Sequence, residues 1–162
     1  MIFVTVGTSK QDFSRLIREI DRLIDEKVIN DEVVVQSNLC MYKPKNFVIN
    51  SQLSKREYQL YLKKCDLIIT HGGVGSIMDG LKNNKKVIAF PRLAKYSEAV
   101  NDHQVEIINE FKKMNYILTG KISDLDKILE DVKSFVPNTY KSNNKLFNNL
   151  VLEEIYRDYG SK

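Results

Sequence analysis

The sequence predicts an α/β fold, a doubly wound, Rossmann-like open parallel sheet of about six strands, equivalent to half of a two-domain enzyme in size. Three observations carry this. Short apolar and β-branched runs (residues 2–6, 67–70 and 86–90) have almost no polar relief, as in central strands covered on both faces. They alternate with segments whose apolar residues recur every three or four positions, the signature of amphipathic helices. The joints between them are rich in glycine, serine and threonine, and no internal repeat interrupts the alternation.

In chain order, residues 2–6 form the first strand and end at Gly7, Thr8 and Ser9. Phe13, Leu16, Ile17, Ile20 and Ile24 then mark a helix starting near Asp12. Residues 32–36 are a second strand, followed by an irregular polar stretch through Pro44 and a short apolar run at 47–49. Ser54 with Glu57 three residues on is a capping box for a helix carrying Tyr58, Leu60, Tyr61 and Leu62. That helix leads into the strand at 67–70, and the strand at 86–90 is stopped by Pro91. Residues 92–100 read as a loop, with Asn101 or Asp102 capping a helix that carries Val105, Ile108, Phe111 and Met114. Residues 116–118 are a last short strand. Ser123 and Asp126 read as a cap before Leu125, Ile128, Leu129 and Val132, which sets aside a metal-binding role for the Asp124-Leu125-Asp126 triplet, since no buried strand precedes it. After an Asn-rich break, apolar residues from Leu146 to Tyr159 predict a C-terminal helix over about 140–160, packed on its own sheet or presented to a partner.

The centre of the chain is Thr70-His71-Gly72-Gly73-Val74-Gly75-Ser76, a strand end, a glycine loop and the opening of a helix expected from Ser76. Amides at a helix start have no intrahelical partner, the helix dipole favours negative charge there, and residues lacking a Cβ admit phosphate oxygens closely. The plain alternative is a glycine turn between two elements. No Lys-Ser or Lys-Thr pair follows, so this is no Walker A loop, and Met78 stands where the third glycine of a dinucleotide fingerprint belongs. Gly7, Thr8 and Ser9 lie in a second strand-to-helix loop, on the same edge if the sheet is parallel, where they line a crevice or Thr8 and Ser9 merely help cap the helix.

His71-Gly72-Gly73-Val74-Gly75-Ser76 with Asp79, then Pro91-Arg92-Leu93 and Asn101-Asp102-His103-Gln104, together with the opening Val4-Thr5-Val6-Gly7-Thr8, resembles the donor-binding half of GT-B glycosyltransferases. The likeness is to the family-28 C-terminal domain in its stand-alone form, as in the two-part N-acetylglucosaminyltransferase of dolichol-linked glycan assembly and in bacterial capsule and exopolysaccharide relatives. It covers residues 1 to about 120. The resemblance implies a metal-independent, inverting transfer of a hexose (galactose, glucose or N-acetylglucosamine) from a UDP-sugar to a lipid-linked sugar acceptor. It implies no cofactor beyond the UDP-sugar substrate, and a membrane-anchored partner subunit that supplies the acceptor half. Gly7, Thr8, His71, Gly72, Gly73, Gly75, Ser76, Arg92 and Asn101 are then donor-binding candidates. Asp79, eight places after the motif histidine, would hold the ribose hydroxyls, where helix stabilisation is the alternative. His103 and Gln104 would contact the sugar hydroxyls, against a surface histidine as the alternative. No residue stands out as the acceptor base; His71 is a weak candidate, with a hydrogen bond, or a positive charge if its pKa rises, as its other contribution.

Length and composition bound the remaining classes. At 162 residues the chain is one domain, 1–162. No apolar run nears the length of a bilayer span, and the amino terminus runs straight into a strand, so a cytoplasmic protein recruited to the membrane through its partner is expected. Cys40 and Cys65 have no metal spacing and read as reduced structural thiols. The net charge of +4 permits an anionic partner, but lysines are not interleaved with aromatics as nucleic-acid binding requires. Two other functions compete: a non-catalytic enhancer or binding subunit of such a complex, and a nucleotide-binding module unrelated to sugar transfer.

Overall fold

The structure is a computed structural model and describes residues 1–140. The predicted C-terminal helix lies outside the described residues. Five strands pair in parallel in one sheet: β1 (Ile2–Thr5), β2 (Val33–Gln36), β3 (Ile49–Asn50), β4 (Leu67–His71) and β5 (Lys86–Phe90), in the order β3-β2-β1-β4-β5. The expected sixth strand at 116–118 is reduced to one parallel bridge between Ile88 and Leu118, held by the Ala89 amide on the Leu118 carbonyl and the Leu118 amide on the Val87 carbonyl.

Pleating sorts the strand residues onto two faces. Ile2, Val4, Val6, Ile69, Ile88 and Phe90 pack with helices α1 (Ser14–Asp25) and α5 (Leu125–Ser134). Phe3, Ile68, Val87 and Ala89 pack with α2 (Lys55–Lys64), α3 (Val74–Lys82) and α4 (His103–Lys113). Both faces are covered, which is why the strands read as unbroken apolar runs. The α1 stripe is as expected, with Leu16, Ile17 and Ile20 fully buried. The capping box of α2 is present on Ser54 and Glu57, and Tyr58 and Tyr61 lay their rings 5.5 and 5.8 Å from that of Phe3.

Three local expectations are corrected. In α4 the buried residues are Ile107, Ile108 and Phe111, so the core face is turned from Val105 toward Ile107. A 3-10 turn, Ile122–Asp124, leads into α5, whose N-cap is Asp124 without a side-chain hydrogen bond; Ser123 is therefore not the cap. Helix α3 begins at Val74 rather than Ser76, which draws Gly75 and Ser76 into its first turn.

The sheet order sets where a ligand can lie. From β1 the chain builds outward through β2 and β3, then returns to the other side of β1 with β4 and β5. Connections therefore leave the carboxyl ends of β1 and β4 in opposite directions, and the edge opens between these two strands. Their register pairs Thr5 with Thr70, so Gly7 and His71 come side by side.

Candidate donor-binding site

A cleft of about 710 Å³ opens at that switch point. Its floor is made by strand ends. The Thr5 hydroxyl donates to Gln36 Oε1 at 2.7 Å, and Gln36 Nε2 donates to the Gly7 carbonyl at 3.2 Å. The Thr70 hydroxyl donates to the Thr5 carbonyl at 2.8 Å. Each of these polar side chains is buried, and each ties one loop to the next rather than standing unpaired.

Above the floor sits the His71 imidazole. A Cβ on Gly7 would lie 2.7 Å from His71 Cε1, and one on Gly73 would lie 2.4 Å from His71 Nε2. Both glycines thus make room for the ring, and Gly7 also holds a left-handed backbone, φ 76°. A Cβ on Gly72 would strike Gln104 at 2.7 Å, whereas one on Gly75 would meet nothing within 4 Å. The expectation that all three motif glycines clear space for phosphate is corrected: Gly72 and Gly73 clear it for protein, and Gly75 alone looks onto open space. Burial, with the nearby Arg92 guanidinium as the second cause, pushes the His71 pKa down to about 4. The imidazole is therefore neutral near pH 7, which leaves the hydrogen bond of the two contributions considered for it.

Helix α3 points its start into the cleft. Gly73 is the N-cap, and its carbonyl accepts the Ile77 amide at 3.2 Å. The amides of Val74, Gly75 and Ser76 precede that first helical bond and have no intrahelical acceptor. One turn on, Asp79 lines the same wall. The Tyr58 side chain of α2 lines the cleft with it, and its pKa is raised by burial first and by the Asp79 charge next. Lys55, in the first turn of α2, stands at the exposed rim.

Of the sequence candidates, Gly7, Thr8, His71, Gly73, Gly75, Ser76 and Asp79 line the cleft, and Gly72 joins His71 to Gly73 behind it. Arg92, Asn101, His103 and Gln104 do not line it. Arg92 is 2% exposed and buries its guanidinium in a cage of carbonyls: Val6 at 2.8 Å, Gln11 at 2.9 Å and Asp12 at 3.2 Å. It also lies 4.8 Å over the Phe13 ring. Gln104 Oε1 accepts the amides of Gly72 at 3.1 Å and Arg92 at 3.0 Å, clamping the loop after β4 to the end of β5. Asn101 Oδ1 accepts the His103 amide at the start of α4, and His103 Nδ1 stands 2.9 Å from Glu106 Oε2. Arg92 and Gln104 thus brace the loops that border the cleft, whereas the contacts of Asn101 and His103 stay within the start of α4. The reading by sequence missed Lys55, Tyr58 and Gln36. Gln36 carried a signal, a polar residue closing an apolar strand, as Thr5 and Thr70 do; Tyr58 and Lys55 looked like ordinary members of a surface helix.

Comparison with known proteins places these features. The family described as glycosyltransferase family 28 C-terminal domain matches residues 1–155. A UDP-N-acetylglucosamine transferase subunit ALG13 of Candida albicans is 26% identical over 133 residues, covering 78% of this chain and 44% of that protein. Its namesake in Saccharomyces cerevisiae is 30% identical over 116 residues, covering 67% of this chain and 54% of that protein. The chain thus spans about half the length of these curated relatives. An NMR solution structure of ALG13 has the same fold, with a TM-score of 0.62 at 18% identity and 96% of each chain covered.

Proposed function

Because this chain belongs to the glycosyltransferase family 28 C-terminal domain family, we propose that it is the catalytic, donor-binding subunit of a two-component glycosyltransferase. It moves a hexose from a UDP-sugar to a lipid-linked acceptor held by a membrane-anchored partner, at the cytoplasmic face. The observation that carries this reading is the single cleft wall on which the α3 amides, the Ser76 hydroxyl and the Asp79 carboxylate converge, with Lys55 at its rim.

The chemistry follows from that wall. The acceptor oxygen attacks the anomeric carbon, the bond from that carbon to the β-phosphate oxygen breaks, and UDP leaves with the electron pair. Charge grows on the diphosphate as the bond stretches, and the fixed amide dipoles of α3 stabilise it without having to reorganise. Lys55 adds the one formal cation among the described residues that line the cleft. Asp79, in the second turn of α3, accepts hydrogen bonds from the ribose hydroxyls. Neutral His71 packs between the two loops and keeps their spacing. With its pKa near 4 it is a poor base at neutral pH, and Asp79 is assigned to the ribose, so removal of the acceptor proton falls to a group from the partner. The proposed acceptor belongs to capsule or exopolysaccharide assembly or to a glycolipid.

Calorimetric titration with UDP, ADP, GDP and a panel of UDP-sugars tests the donor half of the reading; UDP and one UDP-hexose are expected to bind best. Co-expression with the candidate membrane subunit tests the other half, with transfer expected only when both are present. Equal affinity for all three nucleotides would return the chain to the class of generic nucleotide binders. Undiminished partner-dependent transfer by Asp79→Asn would make it a non-catalytic subunit.

A further inference from the structure

From the carboxyl end of β2 to the start of α2 the chain contains no acidic residue: between Glu32 and Glu57 stand Lys43, Lys45, Lys55 and Arg56 alone among charged groups. With 21 acids in 162 residues, a stretch of this length would ordinarily hold about three. Within it, the loop between β2 and β3 turns apolar side chains outward. Met41 is 80% exposed, Val48 79% and Leu39 41%.

The loop is not loose. Buried Asp21 of α1 accepts the amides of Lys45 at 3.0 Å and Asn46 at 3.0 Å and the Tyr42 hydroxyl at 2.7 Å. Asp12 accepts the Met41 amide at 2.9 Å, and the Ser14 hydroxyl accepts that of Tyr42 at 2.9 Å. These hydrogen bonds consume the carboxylates of Asp12 and Asp21 within the fold and hold the apolar tips in place. Arg18 lies 5.2 Å over the Tyr42 ring and adds a third exposed cation beside Lys43 and Lys45, against one exposed carboxylate, Asp25, beneath Asn46. Asn38 donates to the carbonyls of Thr8 and Ser9, so the loop is joined to the rim of the cleft.

We infer that the loop between β2 and β3, with Leu39, Met41 and Val48 as apolar contacts and Lys43 and Lys45 as cationic ones, is a docking surface for an anionic lipid membrane. The loop's own charge is of one sign, and lysines on flexible stems suit a field of mobile headgroups. Exposed apolar tips held by a rigid backbone enter the headgroup layer without an ordering cost on binding. This inference does not rest on the donor reading; it would bring the carboxyl edge of the sheet to the bilayer whichever ligand the cleft takes.

Co-sedimentation of the full chain with vesicles tests it, using phosphatidylcholine alone and phosphatidylcholine mixed with phosphatidylglycerol. Binding is expected only to the mixed vesicles and is expected to weaken as salt is raised. Lys43→Gln with Lys45→Gln should lower the partition coefficient about thirtyfold, at about fivefold for each lysine near an anionic surface. Met41→Ser with Val48→Ser should lower it about tenfold at unchanged net charge. All four side chains are exposed, and a thermal melt checks that each variant is folded. Absence of binding to mixed vesicles, equal binding to phosphatidylcholine alone, or variants that bind as the parent does would each overturn the proposal. Self-association that depends on Met41, seen by analytical ultracentrifugation without vesicle binding, would assign the surface to protein contact instead. UDP affinity, measured on the same variants in solution, is expected to be unchanged, so a failure of the lipid proposal is distinguishable from a failure of the donor site.

Discussion

Replacing Gly73 by alanine tests whether the imidazole is wedged between the two crevice loops. The backbone at Gly73, φ −73° and ψ 126°, suits any L-residue, so the substitution carries no conformational strain. Its cost is steric. The new methyl would sit 2.4 Å from His71 Nε2, 2.9 Å from Cε1 and 3.1 Å from Cδ2. The ring is hemmed in on the opposite side as well, because the same Cε1 lies 2.7 Å from where a Cβ on Gly7 would stand, so it can yield only toward the cleft. Overpacking of this kind costs about 1–3 kcal/mol. For a domain of this size that is a fall in Tm of roughly 2–10 °C. Loss of glycine at an N-cap adds up to about 1 kcal/mol, but equally in any background. Gly73→Ala should therefore cost far less in a His71→Ala protein, where the methyl meets a void, giving a coupling of about 1–3 kcal/mol. Urea denaturation of the parent, both single variants and the double variant closes the cycle. Additivity within about 0.5 kcal/mol would show that the two side chains do not compete for space, and the placement of the ring would fall with it.

Four further outcomes are expected. Asp79→Asn should weaken UDP binding by about ten- to a hundredfold in calorimetry while leaving the melting curve nearly unchanged, because a charge-assisted contact with the ribose is lost. Lys55→Gln should weaken UDP binding by tenfold or less, and the affinity that remains should be less sensitive to salt than the parent's. Gln104→Ala should destabilise the fold by about 1–3 kcal/mol for each amide it strands, those of Gly72 and Arg92, as read by urea denaturation. The depressed pKa of His71 gives an acid limb to stability. The unfolded chain takes up this proton near pH 6.5 and the folded one only near 4, so stability should fall by roughly 2–3 kcal/mol between those values, level off below them, and fall less in His71→Ala.

The sheet was legible because its strands are buried on both faces, which leaves each as a short unbroken apolar run between glycine or polar punctuation. Three of the elements that shifted did so where the signal was one residue deep. Val105 and Ile107 are both apolar and only packing selects between them, and Ser123 and Asp124 are both good caps. The start of α3 moved because valine and glycine, unlike serine, announce no cap. The crevice was legible from two glycine-bearing loops predicted on one sheet edge, which the β1 to β4 pairing makes neighbours. The far side of it was not. Tyr58 and Lys55 come from a helix that sequence places next to β4, and only tertiary packing, Tyr58 on Phe3, brings them to the cleft that Asp79 lines. Arg92 and Gln104 were found as part of the right constellation, yet a long polar side chain near a crevice reads the same whether it faces a ligand or a ring of backbone carbonyls.

That difference matters for how the cleft works. Arg92 joins the loop after β1 to the end of β5 through the Val6, Gln11 and Asp12 carbonyls, and Gln104 joins β5 to the loop after β4. Thr5, Gln36 and Thr70 do the same along the floor. The loops after β1 and β4 and the end of β5 are thus tied to one another by polar side chains. The amides of α3, with Asp79 further along the same helix, are consequently held in place before any ligand arrives. A dipole that is already oriented stabilises a growing negative charge by its full interaction, whereas one that must first turn loses part of that gain to reorganisation. Residues that never touch the diphosphate would then govern the rate of its departure. Gln104→Ala should accordingly lower partner-dependent turnover by more than it lowers UDP affinity, since ground-state binding tolerates a looser frame than charge development does.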